Sequence, residues 1–219
     1  KQFVAELNAL PNCKDGNNDE ADIATIKDFY TNKMDGDLFL RTYAVNVILG
    51  MWDDYWINNN NFYFYFDTNG KAYFIPYDYD NVLGVNGIGI DSAKHNPLEW
   101  GSLSDGNRPL IQKILQVPEY MEAYKSYLDE YSNEDSYFDD DQSITRIKKW
   151  HEMIKPYIYG NKLNYDFEQP NTDRYCGVYK EIADFPAEWG TPYKEYKLYT
   201  FGNMNYFTVR QNTIKQYLQ

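Results

Sequence analysis

Histidine is almost missing from this chain: of 219 residues, only His95 and His151 carry an imidazole. Neither stands at a paired-ligand spacing, which excludes a multi-histidine zinc site. A serine–histidine–aspartate arrangement would have to use one of them, and no GxSxG turn is present to raise the serine. Cysteine is equally scarce. Cys13 and Cys176 are compatible with one disulfide or with two free thiols, and their spacing carries no metal signature. No run of about 18 apolar residues occurs, so no helix of the sequence spans a bilayer. Positive charge is short as well: 21 Lys and Arg face 33 Asp and Glu, for a net charge of -12. That balance argues against nucleic-acid and anionic-membrane partners, whose phosphates are met by clustered cations. There is no GxxxxGK[ST] loop, and "GVNGIGI" (residues 84–90) is too loose for a dinucleotide fingerprint. No secretory signal pattern is present and the first residue is Lys1, so the sequence reads as a processed or truncated piece.

Aromatic residues are what the chain has in plenty. They make up 18% of it, within a hydrophobic share of 43%, enough to build the core of one domain of this length. Residues 2–10 predict a short helix stopped by Pro11, and Asp22 offers an N-cap for a helix through "IATIKDFYTN". Residues 37–52, "DLFLRTYAVNVILGMW", are apolar around most of the cylinder and predict a buried helix that runs into Asp53 and Asp54. "NFYFYF" and "KAYFIPY", separated by Asp-Thr-Asn-Gly, predict a β-hairpin. Its aromatics fall at every position, so both faces are expected to be covered. Leu49, Trp52, Phe62, Phe64, Tyr73 and Ile75 are expected to lie buried at its base. Pro109 and Pro118 each suit the first turn of a helix. Residues 132–143 read as an acidic surface loop, and 143–158 as a helix with Ile144, Ile147, Trp150, Ile154 and Ile158 on one stripe. Residues 159–202 give no element, and 206–218 predict a closing amphipathic helix.

The order of these parts carries chemistry: buried helix, Asp53, an asparagine-rich loop, a hairpin, then Asp78. Phosphoryl transfer uses such an order, with one aspartate for the acceptor hydroxyl and an asparagine and a second aspartate for metal. A nucleotide bears about four negative charges, and an acidic protein would repel it without a divalent ion between them. Taken singly, "DTNG" and "DYDN" also read as ordinary turns in which Asx side chains hold backbone N–H groups.

"VILGMWDDYWINNNNFYFYF", continued by "GKAYFIPYDYDNVLG", resembles the core signature of the spore-coat protein H (CotH) kinase family. "NRPLIQKIL", "PEYMEAY" and "VRQNTIKQYL" are similar to its later helices, so the resemblance runs over most of the chain. It implies an α+β, mostly helical fold over residues 1–219: the C-terminal lobe of an atypical protein kinase, with an internal β-hairpin carrying the metal site. The implied activity is transfer of the ATP γ-phosphate to Ser/Thr of protein substrates with Mg²⁺ or Mn²⁺, outside the cell or at a cell or spore surface. Carried over by position, Asp53 is the catalytic aspartate, and Asn61, Asp78 and Asp80 are the metal residues. Tyr73 is placed near the adenine, and Arg108 or Lys71 near the phosphates. Asp53 comes only 53 residues in, after helical sequence, so the family's N-terminal lobe is expected to be absent from this chain and to be a partner from the same protein. Two rival readings remain: an extracellular carbohydrate-binding or glycosidase module built on the aromatics and paired carboxylates, and a catalytically inactive kinase-like scaffold.

Overall fold

A computed structural model describes residues 1–13, 19–84, 91–102, 108–158 and 205–219. In chain order they form α1 (Gln2–Ala9), α2 (Glu20–Asn32), α3 (Gly36–Leu49), β1 (Phe62–Phe66) and β2 (Ala72–Pro76). A 3-10 turn (Pro97–Ser102), α4 (Pro109–Ile114), α5 (Pro118–Ser132), α6 (Asp140–Ile158) and α7 (Tyr206–Leu218) follow. The architecture is α+β and mostly helical, with one two-stranded antiparallel sheet among the described residues. None of these helices is long and apolar enough to cross a membrane.

α3 is the central element. Asp35 caps it, its carboxylate accepting from Leu38 N at 3.0 Å. Phe39, Leu40, Tyr43, Ala44, Val47 and Ile48 are all buried; each apolar side chain of the larger kind contributes about 1.5–3 kcal/mol on leaving water. The Tyr43 ring lies 5.0 Å from that of Tyr124 on α5 and 4.6 Å from that of Trp56. Leu38 and Val45 remain exposed, so the helix buries most of its circumference rather than all of it.

Past its last turn α3 ends in a Schellman arrangement. Gly50 takes the left-handed conformation (φ 70°), its N–H reaching Val47 O at 3.2 Å while Met51 N reaches Asn46 O at 2.9 Å. The next carbonyls are met from α7: Tyr206 Oη donates to Ile48 O at 3.1 Å, and Arg210 Nη2 donates to Val47 O at 2.7 Å. Arg210 is fully buried and also donates to His95 O through Nη1 at 2.6 Å.

The hairpin pairs Phe62 with Pro76 and Phe66 with Ala72. Asp67 makes the turn by accepting from Asn69 N and Lys71 N, both at 2.9 Å. Ala72 N donates to Lys33 O at 2.7 Å, which ties β2 to the segment before α3. Period-two alternation sends Phe62, Phe64, Ala72 and Phe74 to the core, where the Phe62 and Phe74 rings stack 5.6 Å apart. Tyr63 (61% exposed), Tyr65, Ile75 and Tyr77 face outward. The expectation that both faces are covered is corrected: one face is packed and the other is open to solvent, because no layer of the described residues lies over it. Of the six residues expected to lie buried at its base, Leu49, Trp52, Phe62, Phe64 and Tyr73 are only half-buried, and Ile75 is exposed.

Three smaller expectations also move. Asp19, rather than Asp22, caps α2, accepting from Ala21 N at 2.9 Å. α6 begins at Asp140, inside the acidic run, where negative charge suits a helix N-terminus. Trp150 is exposed, although Ile144 and Ile147 pack against the core. Cys13 is buried; Cys176 and the unassigned residues 159–202 lie outside the described residues.

A Cβ built at Gly50 would collide with Tyr206 Oη and sit 2.9 Å from Ser92 Cβ; one built at Gly70 (φ 78°) meets nothing within 4 Å. Both positions carry the left-handed penalty of about 1–2 kcal/mol for an L side chain, but only Gly50 adds overpacking of about 1–3 kcal/mol. Denaturant melts should therefore show Gly50→Ala destabilised by about 2–5 kcal/mol and Gly70→Ala by no more than about 2 kcal/mol. Equal losses would show that the close approach of α7 to this turn carries no weight.

Candidate site at the ends of the hairpin

The two aspartates that follow α3 are separated by their surroundings. Asp54 is fully buried, accepting from Asn46 Nδ2 at 3.1 Å and from Trp56 N at 2.9 Å. Burial, reinforced by the neighbouring Asp53 charge, pushes its carboxyl well above the usual carboxylate range despite those bonds. Asp53 is half-buried and turns the other way, into a ring of asparagine amides. Asn58 Nδ2 donates to its Oδ1 at 2.5 Å and Asn60 Nδ2 at 3.4 Å; Asn61 and Asn81 donate to its Oδ2 at 3.2 and 3.3 Å.

Asn61 does the most work in this ring. Its Nδ2 also donates to Asp53 O at 2.8 Å, and its own carbonyl accepts from Tyr77 N at 3.0 Å. The start of β1 is thereby fastened to the end of β2, next to Asp78. With Nδ2 turned to Asp53, Oδ1 is the atom of Asn61 left to accept or ligate. Asn81 performs the second fastening, because its Nδ2 also donates to Asp80 Oδ1 at 2.8 Å. Asp80 in turn is pushed upward by burial first and then by the charges of Asp78 and Asp53. Three carboxylates thus share one electrostatic neighbourhood.

Backbone strain is concentrated in the same place. The four non-glycine residues with positive φ among the described residues are Asn59, Asn61, Asp78 and Leu83, at 56°, 50°, 58° and 55°. Asn and Asp visit this region readily; Leu does not. Leu83 is held there by the hydrogen bond from its N–H to Leu49 O at 2.8 Å, at the end of α3. Such clustering is common where side chains must be aimed.

Asp53, Asn61, Asp78 and Asp80 are therefore brought to one end of the hairpin. Tyr73 sits mid-strand, half-buried, its ring 6.0 Å from that of Tyr65. Lys71 lies beyond the far end of β2, on the order of 20 Å from Asp78 at about 3.3 Å per strand residue, and so is not brought to the site. Arg108 braces the asparagine loop from behind: its Nη2 donates to Ile57 O at 2.8 Å and its guanidinium lies 5.9 Å from the centre of the Tyr55 ring. Sequence reasoning missed Asn46, Asp54, Asn58, Asn60, Tyr79 and Asn81. The signal was there in Asn46, an amide in an otherwise apolar stretch of helix, and in the asparagine run itself.

No three His, Cys, Asp or Glu side chains among the described residues converge to hold an ion by themselves. The donor chemistry nevertheless fits Mg²⁺ or Mn²⁺. These ions take one or two carboxylates with other hard oxygens and leave the rest of the shell to water and phosphate. Asp78, Asp80 and Asn61 Oδ1 supply such oxygens.

Residues 7–188 match the family described as "CotH kinase protein". Among curated proteins, "Spore coat protein homolog 1" of Rhizopus delemar (strain RA 99-880) is 24% identical over 201 residues, covering 84% of this chain and 30% of that protein. "Invasin CotH7" of the same organism is 26% identical over 157 residues, covering 66% of this chain and 26% of that protein. The chain thus spans less than a third of the length of either relative. No solved structure matches it significantly.

Asp54 gives a pH prediction whose sign is fixed by the direction of its shift. A carboxyl raised in the folded state favours folding below its ordinary range and loses that contribution as pH rises. Asp54→Asn removes the titration. Between about pH 4 and 7, the unfolding free energy of the unsubstituted chain should fall relative to that of Asp54→Asn. A constant difference between the two across this range would place the Asp54 carboxyl at its ordinary value.

Proposed function

The chain belongs to the CotH kinase protein family, and from that premise we propose that it transfers the γ-phosphate of ATP to Ser/Thr hydroxyls of protein substrates. The observation that carries the reading is the double amide clasp. Asn61 holds the Asp53 loop to the hairpin, and Asn81 links Asp53 to Asp80. Catalysis of this kind rests on positioning and on charge placed where it develops.

In this reading Asp53 receives and orients the acceptor hydroxyl. Amide donors on both its oxygens make it an orienting acceptor first and a proton acceptor second. Asp78 and Asn61 Oδ1, with Asp80 beside them, would hold Mg²⁺ or Mn²⁺. The ion would neutralise the phosphates that an acidic chain otherwise repels. Ile57 O, fixed by Arg108, keeps the loop bearing the asparagines in register. Tyr73 and Arg108 as nucleotide contacts belong to the same proposal, with Arg108 also bracing the loop through Ile57 O. The relatives named for a spore coat and for invasion support action at a cell or spore surface. One observation favours a second reading: Tyr63, Tyr65, Tyr73 and Tyr77 line the open face of the hairpin, as aromatic platforms for sugars do. A glycan array set against ATP·Mg²⁺ calorimetry separates the two.

The roles are tested by two substitutions in the full-length protein. Asp78→Asn keeps the shape and removes the charge that holds the ion, so metal-dependent ATP binding and transfer should both be lost. Asp53→Asn leaves the metal residues in place; ATP·Mg²⁺ should still bind while transfer to a generic acceptor protein falls by about 10²–10⁴. Wild-type binding and transfer in both variants would remove the phosphoryl-transfer reading.

A further inference from the structure

A chain of hydrogen bonds, fully buried at Asn46 and Asp54 and part-exposed at Tyr79, joins the two acidic loops from beneath. Tyr79, between Asp78 and Asp80, donates from Oη to Asn46 Oδ1 at 2.8 Å. Asn46, fully buried on α3, donates from Nδ2 to Asp54 Oδ2. Asp54 holds its own loop twice, through Trp56 N on Oδ1 at 2.9 Å and Asn60 N on its carbonyl at 3.1 Å. The amide of Asn46 is used on both sides, accepting from one loop and donating to the other. No apolar residue of the same shape can do this, and an aspartate or leucine would lose at least one side. In an otherwise apolar stretch of helix, a polar side chain of this kind serves specification of geometry rather than burial.

We propose that Asn46 and Tyr79 are positioning residues: the Tyr79–Asn46–Asp54 chain sets the separation of the Asp53 loop from the Asp78–Asp80 loop. The inference rests on the functional reading above and deepens it, since the catalytic and metal carboxylates stand on opposite ends of this chain. Neither Asn46 nor Tyr79 touches the reacting groups. Their action passes through Asp54 to Asp53 and Asn60 on one side, and through the backbone of residues 78–80 on the other. The asparagine ring above and this chain below hold the same two loops at different depths.

Tyr79→Phe removes one oxygen, keeps the ring and is read in the full-length protein. Amide hydrogen exchange should accelerate by about fivefold, the effect of one net hydrogen bond, at Trp56 and Asn60, which belong to the loop that Tyr79 is not part of. Mn²⁺·ATP affinity should fall by about five- to tenfold, and the unfolding midpoint should stay within a few degrees. Tyr65→Phe, which removes an exposed hydroxyl from the same hairpin, should change none of these. Asn46→Asp is the second variant: it keeps the acceptor for Tyr79 but sets a carboxylate against Asp54, so Trp56 and Asn60 should again exchange faster. Unchanged exchange at Trp56 and Asn60 in both variants overturns the inference. If the exchange rises as expected but the unsubstituted protein does not bind Mn²⁺·ATP, the coupling stands and the functional reading is what fails.

Discussion

The last turn of α3 is where this molecule is tied together. A helix C-terminus leaves carbonyls without intrahelical partners, and each has to be met from elsewhere. Here the Asn46 carbonyl takes Met51 N, the Val47 carbonyl takes the Arg210 guanidinium, the Ile48 carbonyl takes Tyr206 Oη and the Leu49 carbonyl takes Leu83 N. Three segments are fixed to one point: the turn directly before Asp53 and, from farther along the chain, the loop after Asp80 and the closing helix. Arg210 is fully buried at this point, donating to two carbonyls and lying 5.5 Å from the Trp100 ring centre. The left-handed Gly50 is a consequence as well, since any side chain there would push α7 away.

On this anchor the protein solves an electrostatic problem with amides rather than with cations. Asp53, Asp78 and Asp80 repel one another, and a lysine or arginine among them would neutralise the charge that the proposed divalent site relies on. Asparagine donates hydrogen bonds without adding charge. Asn58, Asn60, Asn61 and Asn81 hold Asp53 while leaving the neighbourhood acidic. The left-handed backbone at Asn59 and Asn61 suits the same residue type. One composition thus serves both the turn geometry and the electrostatics of the site.

Much of this was legible in the sequence, for physical reasons that differ by element. α3 could be read because its apolar residues surround the cylinder, and the prolines at 109 and 118 marked two helix starts. The gathering of Asp53, Asn61, Asp78 and Asp80 followed from their order along a helix–loop–hairpin path. The open face of the hairpin was not legible: in "NFYFYF" tyrosine and phenylalanine alternate, but both count as apolar, so the period-two signal that separates Tyr63 and Tyr65 from Phe62 and Phe64 is weak. Asp53 and Asp54 are chemically identical in sequence. Only the fold turns one toward the asparagines and buries the other against Asn46. Lys71 looked available for phosphate until the strand carried it to the far end of the hairpin.

The central claim is that the asparagine-held acidic loops form one divalent-cation site. Mn²⁺ titrated into ¹⁵N-labelled protein tests it directly, because a paramagnetic ion broadens nearby amide resonances. Broadening should begin at substoichiometric Mn²⁺ with the side-chain amides of Asn61 and Asn81 and the backbone of residues 78–80. Asn58 and Asn60 should follow, and the exposed acidic residues Asp135 and Asp141 should be unaffected at the same concentration. Broadening that starts instead along that acidic run, or that spreads evenly over the surface, would contradict the account.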